Sequence, residues 1–297
     1  MNIRKFGYFL KYGFECFVLK REKPIVAGIG LTDICNLKCS HCIVNNKGRG
    51  HYSYDKILEW LKHFYRRGAR IIYFQGGEPF GWHDREKSLD DLVRAAKSIG
   101  YYKVAVASNG TYPIATEADI VWISIDGVPE HHDEIRGSGI YDKVMRNIGD
   151  SAHPNICVNT TVNTINYRDV GKVIETVGKN PHIRGISVNF HTPYPGVKDL
   201  LLSREQKKEV VDVVIALKKA GLPVLNSISG LKALAGGNYK RPLWTIEMVE
   251  QDKINRCCWG SDYGDEVCKN CGYGIIAEMS QVFKFNPESI LHAFKLF

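Results

Sequence analysis

The sequence predicts an α/β fold organised around a parallel sheet, and three observations carry that prediction. Short β-branched runs alternate with amphipathic segments from Pro24 to about residue 195, the pattern of strands buried on both faces and joined by crossover helices. Each run ends in a cysteine, a histidine or a short polar, often glycine-bearing, signal, and ligand sites in parallel sheets lie outside the carboxyl ends of the strands. A chain of 297 residues, 44% hydrophobic and 24% charged, can also bury a full core.

The first element is a basic, aromatic-rich amphipathic helix in residues 1–24. Arg4, Lys5, Lys11, Lys20, Arg21 and Lys23 stand against Glu15 and Glu22, half of the chain's formal excess of +8, and Phe6, Tyr8, Phe9, Leu10, Phe14, Phe17, Val18 and Leu19 accompany them. Such a helix either lies on an anionic membrane surface or packs outside the barrel with its cations in solvent. Strands are expected at 25–33, 70–75, 103–108, 120–126, 156–163 and 185–191. Between the first two, Ser53 caps a helix whose Ile57, Leu58, Leu61, Phe64 and Tyr65 share a face, with Gly68 past its end. The next helix turns Leu89, Leu92, Val93, Ala96 and Ile99 inward. Two more occupy about 140–150 and 167–178, and another runs from the capping box Ser203–Gln206 to Gly221. Six strands linked this way imply right-handed crossovers. Past Gly221 come a strand-like piece (Leu222–Ser229), a short helix (Leu231–Ala235) and a cysteine-bearing tail. Three units are therefore expected: 1–24, 25–221, and a small Cys-rich subdomain at 222–297.

No stretch approaches the roughly 20 apolar residues needed to cross a bilayer, and no cleavage site follows an apolar N-terminal run. A cytoplasmic chain is expected, with peripheral membrane contact through residues 1–24 left open. Seven of the nine cysteines crowd into two groups, three in 35–42 and four in 257–271, which reads as metal binding rather than disulfides. The pI of about 8.9 comes without a strong basic run, so a nucleic-acid partner is not expected.

The strand-end signals carry the chemistry. Cys35 follows strand one, Gly76-Gly77-Glu78-Pro79 strand two, and Ser108-Asn109-Gly110 strand three; Ser124 and Asp126-Gly127 close strand four, Asn163 strand five and His191 strand six. Cys35-x3-Cys39-x2-Cys42 can wrap one iron–sulfur cluster, and three thiolates for four irons leave one iron open. Zinc wants four ligands, and His41 sits awkwardly between Cys39 and Cys42 for the fourth.

Residues 25 to about 195 resemble the radical S-adenosylmethionine (SAM) superfamily in the C-x3-C-x2-C loop after strand one and in the Gly76–Pro79 segment in register after strand two. The resemblance implies a partial (β/α)6 TIM-like barrel, a [4Fe-4S] cluster on Cys35, Cys39 and Cys42, and SAM on its open iron. It also implies that Gly76, Gly77, Glu78 and Pro79 receive the SAM amino group and that Ser108, Asn109, Ser124 and Asp126 lie along the cofactor, where Arg136 could meet its carboxylate. The expected activity is reductive cleavage of SAM to a 5′-deoxyadenosyl radical that attacks an organic substrate. A one-electron reductant such as ferredoxin or flavodoxin would feed the cluster.

Cys257, Cys258, Cys268 and Cys271 resemble the auxiliary-cluster tails of some radical SAM subfamilies, and a second Fe-S cluster is expected there, with structural zinc or free thiols as alternatives. Both members of the Cys257-Cys258 pair could serve one cluster only through an unusual turn. Leu225–Gly237 and Cys271-Gly272-Tyr273 are partly similar to enzymes acting on isoprenoid lipids, of the hopanoid adenosyl transferase type, so a lipid substrate is preferred. Peptide modification, RNA modification and a non-catalytic electron carrier are the competing functions. His191 and Tyr194 are candidate catalytic residues facing the barrel mouth. His131 and His132 read as solvent-facing loop residues, Cys157 as a buried strand residue and Cys16 as part of the first helix.

Overall fold

A computed structural model of the chain describes residues 3–44, 46–250, 252–258 and 263–296. All six expected strands are present: β1 (Val26–Gly30), β2 (Ile71–Gln75), β3 (Lys103–Ser108), β4 (Ile120–Ser124), β5 (Ile156–Val162) and β6 (Ile183–Phe190). Two more, β7 (Ile246–Glu250) and β8 (Lys253–Arg256), come from the C-terminal segment. The sheet order is β8-β7-β1-β2-β3-β4-β5-β6, parallel throughout except for antiparallel β7–β8. This is the curved α/β sheet of a partial TIM-like barrel.

The tail expected to stand apart therefore extends the sheet beside β1. Its strand was hard to read because Glu247 looks like a loop residue. Buried at 5% exposure, it is matched by Arg67, whose guanidinium lies 2.6 Å away.

Alternation along the strands sorts side chains to two faces. Ala27, Ile29, Ile72, Phe74, Val104 and Val106 point outward and pack on Ile57, Leu61 and Phe64 of α2 (Tyr54–Arg67) and on Leu92, Val93 and Ala96 of α3 (Leu89–Ile99). The opposite set, Gly28, Tyr73, Ala107, Trp122, Ser124, Asn159, Thr161, Ser187 and Asn189, lines the barrel lumen. The Ser53 cap, with Oγ accepting from Lys56 N, and the Ser203 capping box form as expected, the latter opening α7 (Arg204–Lys219).

Three expectations change. Residues 222–229 are not a strand: Val224 makes one isolated bridge to Ile186, and α8 runs Ile228–Gly236. Ser227 caps α8 by accepting from Gly230 N, and the Glu288 carboxylate accepts from Ile228 N and Ser229 N. Those groups satisfy a helix start inside a β-branched run. The 167–178 helix begins with a 3-10 turn at Tyr167–Asp169, and α6 proper is Val170–Lys179. His131 and His132 lie not in a loop but in α4 (Pro129–Arg136), started by Pro129 at its first turn. His132 is fully buried, its Nδ1 accepting from Asp126 N at 3.1 Å, while His131 pairs with Asp169 at 2.6 Å.

The remaining helices are α1 (Ile3–Phe17), α5 (Ile140–Gly149), α9 (Asp265–Lys269), α10 (Gly274–Val282) and α11 (Pro287–Leu296). α1 lies across the amino ends of the strands. Its Tyr8 hydroxyl donates to Gly68 O, Tyr12 to Lys23 O at 2.7 Å and Lys5 to Tyr102 O at 3.2 Å, each acceptor preceding a strand.

Candidate metal and cofactor centre

At the carboxyl ends of the strands a cavity of about 430 Å³ is lined by Cys35, Cys39, Cys42, Gly76, Gly77, Ser108, Asn109, Ser124 and Arg136, and also by Cys257, Cys258, His191 and Tyr194. The loop after β1 carries the first three thiols. Cys42 N donates to Cys39 O at 3.1 Å, and Asn46 ties the loop by accepting from Cys35 N and donating to Cys35 O, both at 3.2 Å. Burial pushes the Cys39 thiol up to about 11, with Arg136 opposing, and Cys35 is raised for the same first reason. A cluster that takes these sulfurs as thiolates removes that penalty.

The Gly76-Gly77 turn lines the cavity and also has a structural role. A Cβ on Gly76 would collide with Thr32 O and one on Gly77 with Ile34 O. Gly77 N and Glu78 N donate to those same carbonyls at 2.7 and 3.0 Å. The glycines thus lock the β2 loop against the base of the cysteine loop.

Glu78 and Pro79 are buried behind this turn and do not line the cavity. The Glu78 carboxylate accepts from Ser108 Oγ and Asn109 N, both at 2.8 Å, and from Phe80 N at 3.1 Å. Burial raises its pKa despite those donors. Asn109 Nδ2 in turn donates to Asn36 Oδ1 at 2.9 Å and lies 3.6 Å from Cys35 Sγ. Glu78 therefore joins the ends of β2 and β3 and, through Asn109, the cysteine loop.

Asp126 is fully buried, also behind the wall. It holds Arg136 at 2.6 and 2.7 Å and accepts from Thr161 N at 2.8 Å. Burial would raise its pKa, but Arg136, His41 and the Thr161 amide together hold it below the usual range. Burial also pushes His41 down to about 4.

His191 and Tyr194 are buried in the cavity lining. His191 Nε2 contacts Val197 O at 2.7 Å, and burial lowers its pKa. The Tyr194 hydroxyl lies 3.4 Å from Cys258 Sγ. Cys257 adopts a left-handed φ of 69°. Its thiol is raised first by its contact with Cys258, and further by burial and by Cys271 and Cys268. Burial pushes Cys271 up to about 11, with Cys258 and Cys268 adding to it. These late thiols destabilise one another's charge, and Cys268 and Cys271 do not line the cavity. Among the described residues no three His, Cys, Asp or Glu side chains are drawn together as ligands of a single ion.

Sequence reading missed the lumen residues Gln75, Asn159, Thr161, Ser187 and Asn189. Their signal was present as polar residues at every second position, Asn-x-Thr in β5 and Ser-x-Asn in β6.

A model of the radical SAM superfamily matches residues 29–177. Among curated relatives, the Fe-coproporphyrin III synthase of Methanosarcina barkeri is 27% identical over 216 residues, 66% of this chain and 52% of the relative. The sporulation killing factor maturation protein SkfB of Bacillus subtilis is 30% identical over 166 residues, 51% of this chain and 39% of the relative. The chain thus spans about half the length of the first of these relatives, or less. Streptococcus suis SuiB bound to the precursor peptide SuiA shares the fold with a TM-score of 0.65 at 14% identity, covering 84% of this chain and 63% of that one.

Proposed function

This chain belongs to the radical SAM superfamily, enzymes that use a [4Fe-4S] cluster and S-adenosylmethionine, and we propose that it directs this chemistry at an uncharged, largely apolar substrate group, an isoprenoid or other lipid by preference. The cavity wall supports this reading. Among the described residues no Asp, Glu or Lys side chain lines it, and its one guanidinium is neutralised by Asp126. A phosphate-rich or polycarboxylate substrate would be desolvated there without partners, whereas Val26, Ile43, Val44, Trp122, Ile246, Met248 and Ile275 offer apolar surface.

In this reading Cys35, Cys39 and Cys42 hold the cluster, and Gly76, Gly77, Ser108, Asn109, Ser124 and Arg136 face the SAM. When bound, cluster and SAM supply a 5′-deoxyadenosyl radical. Glu78, Pro79 and Asp126 act from behind the wall by fixing Ser108, Asn109 and Arg136. His191 and Tyr194 touch substrate in this reading, and Cys257, Cys258, Cys268 and Cys271 hold a second cluster.

A second reading, modification of an uncharged peptide side chain, draws on the peptide-maturing relative and the peptide-bound neighbour. Anaerobic reconstitution, reduction and addition of SAM separate the two. We expect about eight iron atoms per chain if both sites hold [4Fe-4S], release of 5′-deoxyadenosine, and several-fold stimulation by a neutral isoprenoid. Stimulation by peptides alone would replace the lipid reading, and no SAM cleavage by a fully loaded, reduced chain would sink both.

A further inference from the structure

The face of α1 turned away from the barrel is apolar. Tyr8, Tyr12 and Cys16 pack inward, yet Phe6, Leu10, Phe14 and Val18, four residues apart in turn, are 47%, 59%, 55% and 61% exposed. Four-residue spacing makes Phe6, Leu10 and Phe14 one slowly drifting stripe along the helix, with Val18 just past its end. Phe17 continues it towards the C-terminal region, its ring centroid 4.4 Å from that of Phe285, which is itself 62% exposed. Lys11, Lys20, Arg21 and Lys284, close to these residues in the sequence, are exposed, Arg21 pairing with Glu15 at 3.2 Å; the Arg4 side chain lies outside the described residues.

We propose that this stripe docks the protein on an anionic lipid surface. A contiguous exposed apolar patch of this kind marks an interaction site, and the charge selects its occupant. Residues 1–25 hold six basic against two acidic side chains, so a second copy of the chain would oppose like charge to like. Acidic lipid headgroups complement the cations, while the phenylalanines and Leu10 enter the headgroup boundary. Because α1 spans the amino ends of the strands, the docked protein keeps the cysteine-lined cavity, at the carboxyl ends, facing water and open to a soluble reductant.

The test is flotation of the full chain with phosphatidylcholine vesicles with and without about 30% phosphatidylglycerol, at low and about 0.5 M salt. We expect at least tenfold more bound chain on the anionic vesicles and most of it lost at high salt. Leu10→Glu/Phe14→Glu should remove binding while leaving its circular dichroism and its 5′-deoxyadenosine release at the wild-type level. Absence of binding to anionic vesicles, or equal binding by the double variant, overturns the proposal. So does concentration-dependent dimerisation that the double substitution abolishes without any vesicle binding. SAM cleavage is read separately in every arm, so a failure of the enzymatic reading is distinguishable from a failure of docking.

Discussion

The guanidinium of Arg136 joins two features that are far apart in sequence: it grips the Asp126 carboxylate at 2.6 and 2.7 Å and lies 3.9 Å from the sulfur of Cys39. The pair is buried, Asp126 completely and Arg136 to 8% exposure. Breaking a pair of this kind leaves an uncompensated charge in the interior and costs about 3–5 kcal/mol. Asp126→Asn should lower the free energy of unfolding by that amount, and Asp126→Asn/Arg136→Met should recover much of it. Because Asp126 is held below its ordinary pKa, the pair's contribution is present above the unfolded carboxylate value of about 3.9 and is lost only as pH falls through the lower folded value. Denaturation series should therefore give a flat difference between wild type and Asp126→Asn from pH 5 to 8.

Gly77→Ala should disable SAM binding without touching any thiol. The added methyl collides with Ile34 O, a backbone atom next to Cys35, so the two loops must separate. Calorimetric titration with SAM should show at least a tenfold weaker affinity, with iron uptake reduced as well. Wild-type affinity would mean that the loops can separate freely.

Glu78→Gln replaces one carboxylate oxygen by an NH2 group. Whichever way the amide turns, a donor meets a donor at Asn109 N or near Phe80 N and Ser108 Oγ. An unsatisfied buried group of this sort costs about 1–3 kcal/mol. Loss of stability together with weaker SAM binding is expected; a stability loss with unchanged SAM affinity would confine Glu78 to holding the fold.

His131 gives a pH signature far from the thiols. Its hydrogen bond to Asp169 raises its pKa against a smaller opposing effect of burial. A raised folded value means that the stabilisation is complete below the unfolded pKa of about 6.5 and fades as pH rises through the folded value. With the side chain 33% exposed, screening keeps the effect under about 1 kcal/mol. The difference in denaturation midpoint between wild type and His131→Ala should be larger at pH 6 than at pH 9.

The late cysteines are tested by iron content. Cys268→Ser/Cys271→Ser should lower reconstituted iron from about eight to about four atoms per chain while SAM cleavage persists. Undiminished iron would remove these residues from the ligand set.

Much of the site could be read in one dimension because its parts are local. Cys35, Cys39 and Cys42 share one loop, Gly76–Pro79 share another, and each follows a strand whose β-branched run is unmistakable. Glu247 and His132 show the opposite case, since a buried charge or imidazole reads as a surface residue until its partner, Arg67 or the Asp126 amide, is placed beside it. The lumen face escaped notice because its polar residues are spread singly over several strands.

By itself the sequence determined where the core strands lie, the thiol spacing and the glycines at the strand ends, all of which depend on residues within a few positions of one another. Only the tertiary structure decided that Glu78 and Asp126 support the cavity wall from behind, that the tail joins the sheet beside β1, and that α1 turns Leu10 and Phe14 to solvent. Those outcomes rest on which distant groups satisfy a buried charge or cover an apolar side chain, and burial is a property of the packed chain rather than of any segment.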